Sequence, residues 1–93
     1  MRQATAQGQQ LMQQAKQLSN QDTGESRTQA IATYEQALVV WRQIGDRSQE
    51  ASTLPSIGVL YYALHEPQKA LDSYQQVLAI QREVKNRTGE AIM

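Results

Sequence analysis

The sequence matches itself when it is shifted by 40 residues. A repeat of this length is typical of proteins built from stacked units, because one small unit cannot bury its apolar face alone. The self-match therefore predicts a repeat array. Its identical pairs include Ala30 and Ala70, Tyr34 and Tyr74, Gln36 and Gln76, Leu38 and Leu78, Arg42 and Arg82, Arg47 and Arg87, Glu50 and Glu90, and Ala51 and Ala91.

Residues 51–78 predict that the unit is a pair of helices joined by a tight turn. Apolar residues recur at helical spacing on both sides of a break at residues 65–67, which includes Pro67. Gly58 lies inside the first of these helices, where glycine costs about 1 kcal/mol relative to alanine. We expect a compensating contact there, because a residue without a side chain lets the facing helix come close.

Periodicity and turn signals divide the chain into two hairpins. The predicted helices cover residues 3–19, 26–44, 46–64 and 67–85, and the third continues through Pro55. The first hairpin is expected to have a loop about ten residues longer than the second. We expect one domain over 1–93, divided into a first hairpin over 3–44 with a long internal loop at 19–26, a second hairpin over 46–85, and a truncated third repeat over 87–93.

The apolar stripes also predict which side chains form the core. Trp41 falls on the inward stripe of the second helix, which favours core packing over ligand binding. The polar run at residues 46–50 is interpreted as a helix cap followed by local ion pairs that contribute little individually. Four large residues of the fourth helix are expected to point inward: Leu71, Tyr74, Leu78 and Val84.

The composition argues against several classes of partner. Nine Lys and Arg residues balance nine Asp and Glu residues, whereas nucleic acids and anionic membranes attract clustered basic residues. The longest mainly apolar run, residues 57–64, is too short to span a bilayer, and the start of the chain does not look like a signal peptide. We expect a cytoplasmic protein with no nucleic-acid partner and no membrane partner.

The sequence does not predict catalysis. Cysteine is absent and His65 is the only histidine, so a zinc site would lack its usual ligands. No phosphate-binding glycine loop is present either. The position of His65 at a predicted turn favours a role in ending the third helix. We expect no enzyme activity, no cofactor and no metal site.

Several short stretches of the chain follow a known repeat pattern. They are Tyr34-Glu35-Gln36-Ala37-Leu38, Gly45-Asp46-Arg47, Glu50-Ala51, Thr53-Leu54, Ile57-Gly58 and Lys69-Ala70-Leu71. With them the chain resembles the tetratricopeptide repeats of the long, 40-residue kind, which occur in bacterial multi-repeat proteins, notably cyanobacterial ones. The resemblance implies an all-α fold: antiparallel helix-turn-helix repeats stacked as a right-handed α-solenoid, with four helices plus a C-terminal helical stub. It also implies a concave groove that binds other proteins.

By this resemblance, one face of the first helix and one face of the third line the groove. The family usually has two asparagines where Pro55 and Ser56 stand, and in many members an asparagine there holds the backbone of the bound peptide. No Lys or Arg occupies the third-helix positions, which favours a neutral or mixed partner segment. The candidate groove residues are Thr5, Gln9, Met12, Gln13, Ser52, Ser56, Val59, Tyr62 and Ala63.

Two alternatives to groove binding stay open at this point. Val59 and Tyr62 can instead pack against a neighbouring helix. The chain can also serve as a structural or assembly module that stacks on further repeats, or that self-associates weakly as a homo-oligomer through the fourth helix and the stub. In that case it needs no peptide ligand, and exposed apolar residues on the fourth helix are expected.

Overall fold

The computed structural model describes the backbone of residues 2–92 and the side chains of residues 2–85. Over this range the chain forms four α-helices, α1 Arg2–Asn20, α2 Gly24–Ile44, α3 Arg47–Ala63 and α4 Pro67–Ile92. Each helix packs against the next, and the short connections make neighbouring helices antiparallel. The predicted all-α class and helical-repeat architecture are confirmed.

The connection of the first hairpin is much shorter than predicted. Residues 21–23 separate α1 from α2, the same length as the connection at 64–66 in the second hairpin, so the predicted long loop at 19–26 is wrong. The hydroxyl of Thr23 accepts a hydrogen bond from the backbone N–H of Ser26, and the Ser26 hydroxyl accepts one from the N–H of Thr23. Because this capping box starts α2 at once, the extra residues of the first hairpin lie in helix.

The longer helices change which aromatic ring covers the hairpin glycine. Gly8 lies 12 residues before the end of α1, whereas Gly58 lies 5 before the end of α3. The difference of seven residues is two helical turns. The ring of Tyr74 covers Gly58, but Trp41 covers Gly8 and lies seven residues beyond Tyr34, the 40-residue counterpart of Tyr74. The expected close contact at Gly58 is confirmed, and a side-chain ring makes it.

His65 ends α3 through its backbone. It adopts a left-handed conformation with φ of 63°, and its N–H donates to the carbonyl of Tyr62 at 3.0 Å. Such a conformation costs a residue with a side chain roughly 1–2 kcal/mol. The predicted role of His65 in ending the third helix is confirmed, and it is the backbone of His65 that ends the helix.

Helix α4 continues past the predicted end at Lys85. Forty residues earlier, Gly45 takes a left-handed conformation with φ of 71° and ends α2. Lysine extends a helix readily and disfavours that conformation. The backbone of residues 86–92 therefore continues α4 instead of starting the predicted separate stub. The side chains of the predicted third repeat, 87–93, lie outside the described part of the chain, as does all of Met93.

The indole of Trp41 is buried at the contact of three helices. Its ring covers Gly8 of α1, and its N–H donates to the hydroxyl of Thr53 on α3 at 3.1 Å. The predicted core position of Trp41 is confirmed. The same hydroxyl donates to the carbonyl of Gln49 at 2.8 Å and lies 3.3 Å from the sulfur of Met12. This contact brings α1 beside α3.

Helix α4 carries two apolar stripes, and the stripe with smaller side chains faces the core. The buried residues of α4 include Ala70, Ser73 and Ile80. The four large residues predicted to point inward, Leu71, Tyr74, Leu78 and Val84, are all more than a third exposed. For Leu71 and Leu78 that prediction is wrong, because Ala70 and Leu71 are adjacent residues and therefore about 100° apart around the helix. Tyr74 is partly exposed but packs its ring on Gly58 of α3. Val84 lies four residues after Ile80 on the core-facing side and is only partly covered. Side-chain size alone does not show which stripe meets α3.

A buried carboxylate joins α2 to α3. Glu50 accepts hydrogen bonds from Nε of Arg42 and Nη1 of Arg47, both at 3.0 Å, and Arg47 also pairs with Glu83 on α4. Burial would raise the pKa of Glu50, but the two guanidinium groups outweigh it and hold the pKa below its ordinary value of 4.5. The cap at Asp46 is present as predicted, since its carboxylate accepts from the N–H of Gln49. The prediction that residues 46–50 form only local ion pairs is wrong, because Glu50 also pairs with Arg42 on α2 and Arg47 with Glu83 on α4.

We expect Gly8→Ala to lower the free energy of unfolding by about 1–2 kcal/mol. Overpacking costs about 1–3 kcal/mol, and alanine recovers about 1 kcal/mol of helix propensity. A Cβ there would lie 2.7 Å from Cζ3 of Trp41, which is fully buried and cannot move away. Gly58→Ala should be nearly neutral because the ring of Tyr74 is partly exposed and can move outward.

Urea unfolding followed by circular dichroism measures both variants. Gly24→Ala is the control, because apart from the adjoining backbone nothing lies within 4 Å of a Cβ at that position. A larger loss for Gly58→Ala than for Gly8→Ala would contradict this account.

Pro55→Ala should raise the free energy of unfolding by about 2 kcal/mol. Pro55 is the ninth residue of the continuous helix α3, where proline removes a backbone hydrogen bond and clashes with the carbonyl of Ala51. The gain is reduced by up to about 1 kcal/mol because alanine also frees the unfolded chain. Thermal unfolding measures the change, with Ser52→Ala as a control on the same helix. An unchanged or lower melting temperature would show that the proline fits without cost.

Glu50→Gln should lower the free energy of unfolding at pH 7 by about 1–2 kcal/mol, because a charged hydrogen-bond acceptor is lost. The folded pKa of Glu50 is depressed, so its contribution is present above pH 4.5 and disappears as the pH falls through the folded value. The variant should therefore lose less stability than the unmodified chain when the pH is lowered from 5 toward 3. Parallel pH profiles for the two proteins would contradict the role of this carboxylate.

Candidate functional site

The nine candidate groove residues lie on α1 and α3 as two stripes. On α3, Ser52, Ser56, Val59 and Tyr62 follow one another at spacings of three or four residues, so they share one side of the helix. Val59 is 58% exposed and Tyr62 is 72% exposed. Ala63, beside Tyr62, is also exposed. Since neither large side chain is covered, the alternative in which they pack against a neighbouring helix does not hold within the described chain.

The stripe on α1 contacts α3 through Met12. Gln9 and Gln13 are exposed and Thr5 is half-buried. Met12 is also half-buried, and it packs against the core, with its sulfur 3.3 Å from the hydroxyl of Thr53. Met12 therefore contributes only part of its side chain to a surface. We call the surface formed by the nine residues the α1–α3 face.

The α1–α3 face is a strip, not a single pocket. Thr5 lies seven residues before Met12, and Tyr62 lies nine residues after Thr53, which touches Met12. At 1.5 Å per residue the two ends are about 24 Å apart along the helices. Thr5 and Gln9 therefore cannot contact the same small ligand as Tyr62. A strip of this length suits an extended protein segment.

The apolar end of the strip has a depression beside it. A cavity of about 520 Å³ opens between the end of α3 and the start of α4. Its walls are Tyr62, Ala63, His65 and Pro67. A side chain from a partner can rest there against the ring of Tyr62.

Sequence reasoning missed a second concavity, a cleft of about 420 Å³ between α2 and α4 with α3 as its floor. Its residues come from three helices and follow no short motif, so only the packing of the helices shows that they meet. The walls are Glu35, Leu38, Val39, Arg42, Leu54, Ile57, Tyr61, Lys69, Asp72, Ser73 and Gln76.

Most polar groups of this cleft already have partners within the chain. The Tyr61 hydroxyl donates to Glu35 at 3.3 Å. The pKa of Tyr61 is raised, mainly by burial and in addition by the negative charge of Glu35. Lys69 pairs with Glu66 at 3.1 Å, and the hydrogen bond that its ammonium group donates to the Glu66 carboxylate raises the pKa of Lys69. A ligand would have to replace these contacts, so the cleft is a weaker candidate than the α1–α3 face.

The described residues show no feature of a metal site or a membrane span. No three residues among the described His, Asp and Glu side chains are grouped so that they could hold a metal ion. No helix in the described range is both long and apolar enough to cross a bilayer. Every buried polar side-chain atom in this range has a hydrogen-bond partner.

Comparison with protein families shows which family the chain matches. The model of the tetratricopeptide repeat family matches residues 24–83, which include α2, α3 and most of α4. No curated protein and no solved structure matches the chain.

Proposed function

Since this chain belongs to the tetratricopeptide repeat family, we propose that it binds a protein partner through the α1–α3 face. Repeats of this family generally mediate protein–protein interaction or assembly, and they are typically not catalytic. The observation that carries the proposal is the exposure of Val59 and Tyr62 on an otherwise polar stripe. Exposed aromatic side chains are enriched at protein interfaces and often dominate binding energy.

The chemistry of the face favours an extended segment with an apolar side chain. Hydroxyl and amide groups on Gln9, Gln13, Ser52 and Ser56 can both donate to and accept from a peptide backbone. No Lys or Arg lies among the nine residues, so an acidic segment would gain no ion pair there. The partner segment is therefore neutral or mixed in charge, and its apolar side chain packs on Val59 and Tyr62.

Other features of the chain remain predictions. We treat residues 1–93 as one repeat domain, because each described helix packs on its neighbour in a continuous series. The absence of a cofactor stays a prediction. The balanced charge supports the absence of a nucleic-acid partner. The cytoplasmic location and the lack of enzyme activity also stay predictions.

Peptides selected from a random display library against this chain test the proposed site. We expect Tyr62→Ser to weaken binding of a selected peptide at least tenfold, because truncation of a central interface aromatic typically costs about 2 kcal/mol or more. Val59→Ser should weaken it less. Fluorescence anisotropy measures the dissociation constants, and circular dichroism checks that the exposed substitutions leave the fold intact.

Val39→Ser is the matched control. Val39 is a similarly exposed valine, but it lies on α2 at the wall of the α2–α4 cleft. The control should change the affinity less than twofold. If Val39→Ser weakens binding and Tyr62→Ser does not, the peptide occupies the cleft and the proposed site is wrong.

A further inference from the structure

Helix α4 presents an uncovered apolar stripe that we call the α4 face. It consists of Leu71, Tyr74 and Leu78, spaced three and four residues apart on one side of the helix. These side chains are 39–51% exposed. This surface lies on a different helix from the α1–α3 face, and its role does not depend on the proposed function.

The internal repeat shows what covers such a stripe elsewhere in the same molecule. The counterparts of the α4 face, 40 residues earlier, are Ile31, Tyr34 and Leu38 on α2. They are only 5–6% exposed because α3 packs over them. They share one apolar cluster with residues of α3 that include Ile57 and Leu60. The same stripe is thus covered by an apolar helix surface in one hairpin and left uncovered in the other.

The residues after the stripe do not cover the α4 face. The backbone of residues 86–92 continues α4 without a turn. A segment that extends a helix along its own axis moves away from the stripe at 71–78 and cannot fold back over it. Within residues 2–92 the stripe therefore has no covering helix, and a second molecule can occupy it.

The first helix of another copy is unsuited to this stripe. Gly8 and Gly58 are 50 residues apart and occupy equivalent positions beneath an aromatic ring, so α1 corresponds to α3. At this offset, Ile57 and Leu60 correspond to Gln7 and Gln10, which are exposed and polar. Burying amide groups against leucine without hydrogen bonds is unfavourable. Head-to-tail stacking of copies is thereby disfavoured.

We propose that a second copy of this chain covers the α4 face, with the two α4 helices packed antiparallel about a two-fold axis. If the axis passes near Tyr74, Leu71 of each copy lies opposite Leu78 of the other, because both are within four residues of that point. The apolar stripe is then its own complement. Such an arrangement closes after two copies and leaves no free face of the same kind.

Charge favours the antiparallel direction. Residues 66–72 carry Glu66, Lys69 and Asp72, a net charge of −1, whereas residues 82–85 carry Arg82, Glu83 and Lys85, a net charge of +1. An antiparallel pair places each basic segment near the Glu66 end of the other copy. A parallel pair would place Arg82 and Lys85 beside their own copies, and like charges repel.

The small stripe makes the dimer weak. Three large side chains from each copy bury well below the roughly 800 Å² per partner of a standard stable interface. We expect a dissociation constant between about 10 µM and 1 mM. Sedimentation equilibrium from about 10 µM to 1 mM should show the mass rise from the monomer value of 10.5 kDa toward twice that value.

Single substitutions test the surface. Leu71→Glu and Leu78→Glu should each weaken dimerisation at least tenfold, and both side chains are exposed enough to leave the fold intact. Val59→Glu, a similarly exposed residue of α3, is the matched control and should leave the dimer unchanged. Tyr74 is avoided because its ring also packs on Gly58. Circular dichroism verifies the helical content of each variant.

A charge-swap mixture tests the orientation. Leu71→Glu mixed with Leu78→Lys should restore association, because in the antiparallel pair the introduced carboxylate of one copy meets the introduced ammonium group of the other. Each variant alone should remain monomeric. A parallel pair would not be restored, since position 71 would then meet position 71.

Several outcomes would overturn the proposal. A constant monomer mass over the whole range shows that no second copy binds. A mass that grows beyond two copies shows open-ended stacking. A dimer that resists both glutamate variants, or one that the mixture fails to restore, shows that the contact lies elsewhere or runs in the parallel direction.

Discussion

The packing of three helices depends on the burial of one indole ring. Trp41 can lie against α1 only because Gly8 has no side chain, and it reaches α3 through the hydroxyl of Thr53. The same hydroxyl touches Met12, so a single group sets the distance between α1 and α3. A large aromatic ring contributes more buried area than any other side chain, and a hydrogen-bonded indole adds direction to it. The contact of Trp41, Thr53 and Met12 lies beneath the α1–α3 face, because Met12 is itself one of the nine residues of that face.

The sequence predicted the features that depend on neighbouring residues. The hairpins, the cap at Asp46 and the contact at Gly58 follow from local spacing, and the structure confirms them. The segment at 19–26 was harder because its turn-forming residues can serve equally as a loop or as the cap of a helix. There the reciprocal bonds of Thr23 and Ser26 decide in favour of a helix. Whether these residues form a loop or a helix cap depends on their hydrogen-bond geometry, which cannot be deduced from the composition.

Features that depend on distant residues could not be predicted in the same way. The core-facing stripe of α4 differs from the exposed one by about 100°, and only the position of α3 decides between Ala70 and Leu71. Likewise, Glu50 lies in a polar run of the sequence but is buried between helices. The two stripes of the candidate site were predicted from the family resemblance. In the structure Met12 packs partly against the core, and the other eight residues are exposed or half-buried on α1 and α3. The α2–α4 cleft had no sequence signal because three helices contribute to it.

Two stretches of similar sequence fold differently because they differ at one turn residue. Arg42, Arg47 and Glu50 recur after 40 residues. The first set joins α2 to α3, whereas the second set lies within the single helix α4. Gly45 allows the chain to reverse after α2, so that Glu50 returns to Arg42 and buries its carboxylate between two guanidinium groups. Lys85 stands where that glycine would be, and α4 continues straight. Repeated side chains therefore reproduce a repeated structure only where the backbone can adopt the left-handed conformation between them. Within residues 2–92 the same replacement leaves the α4 face without a covering helix, whereas its counterpart on α2 is buried.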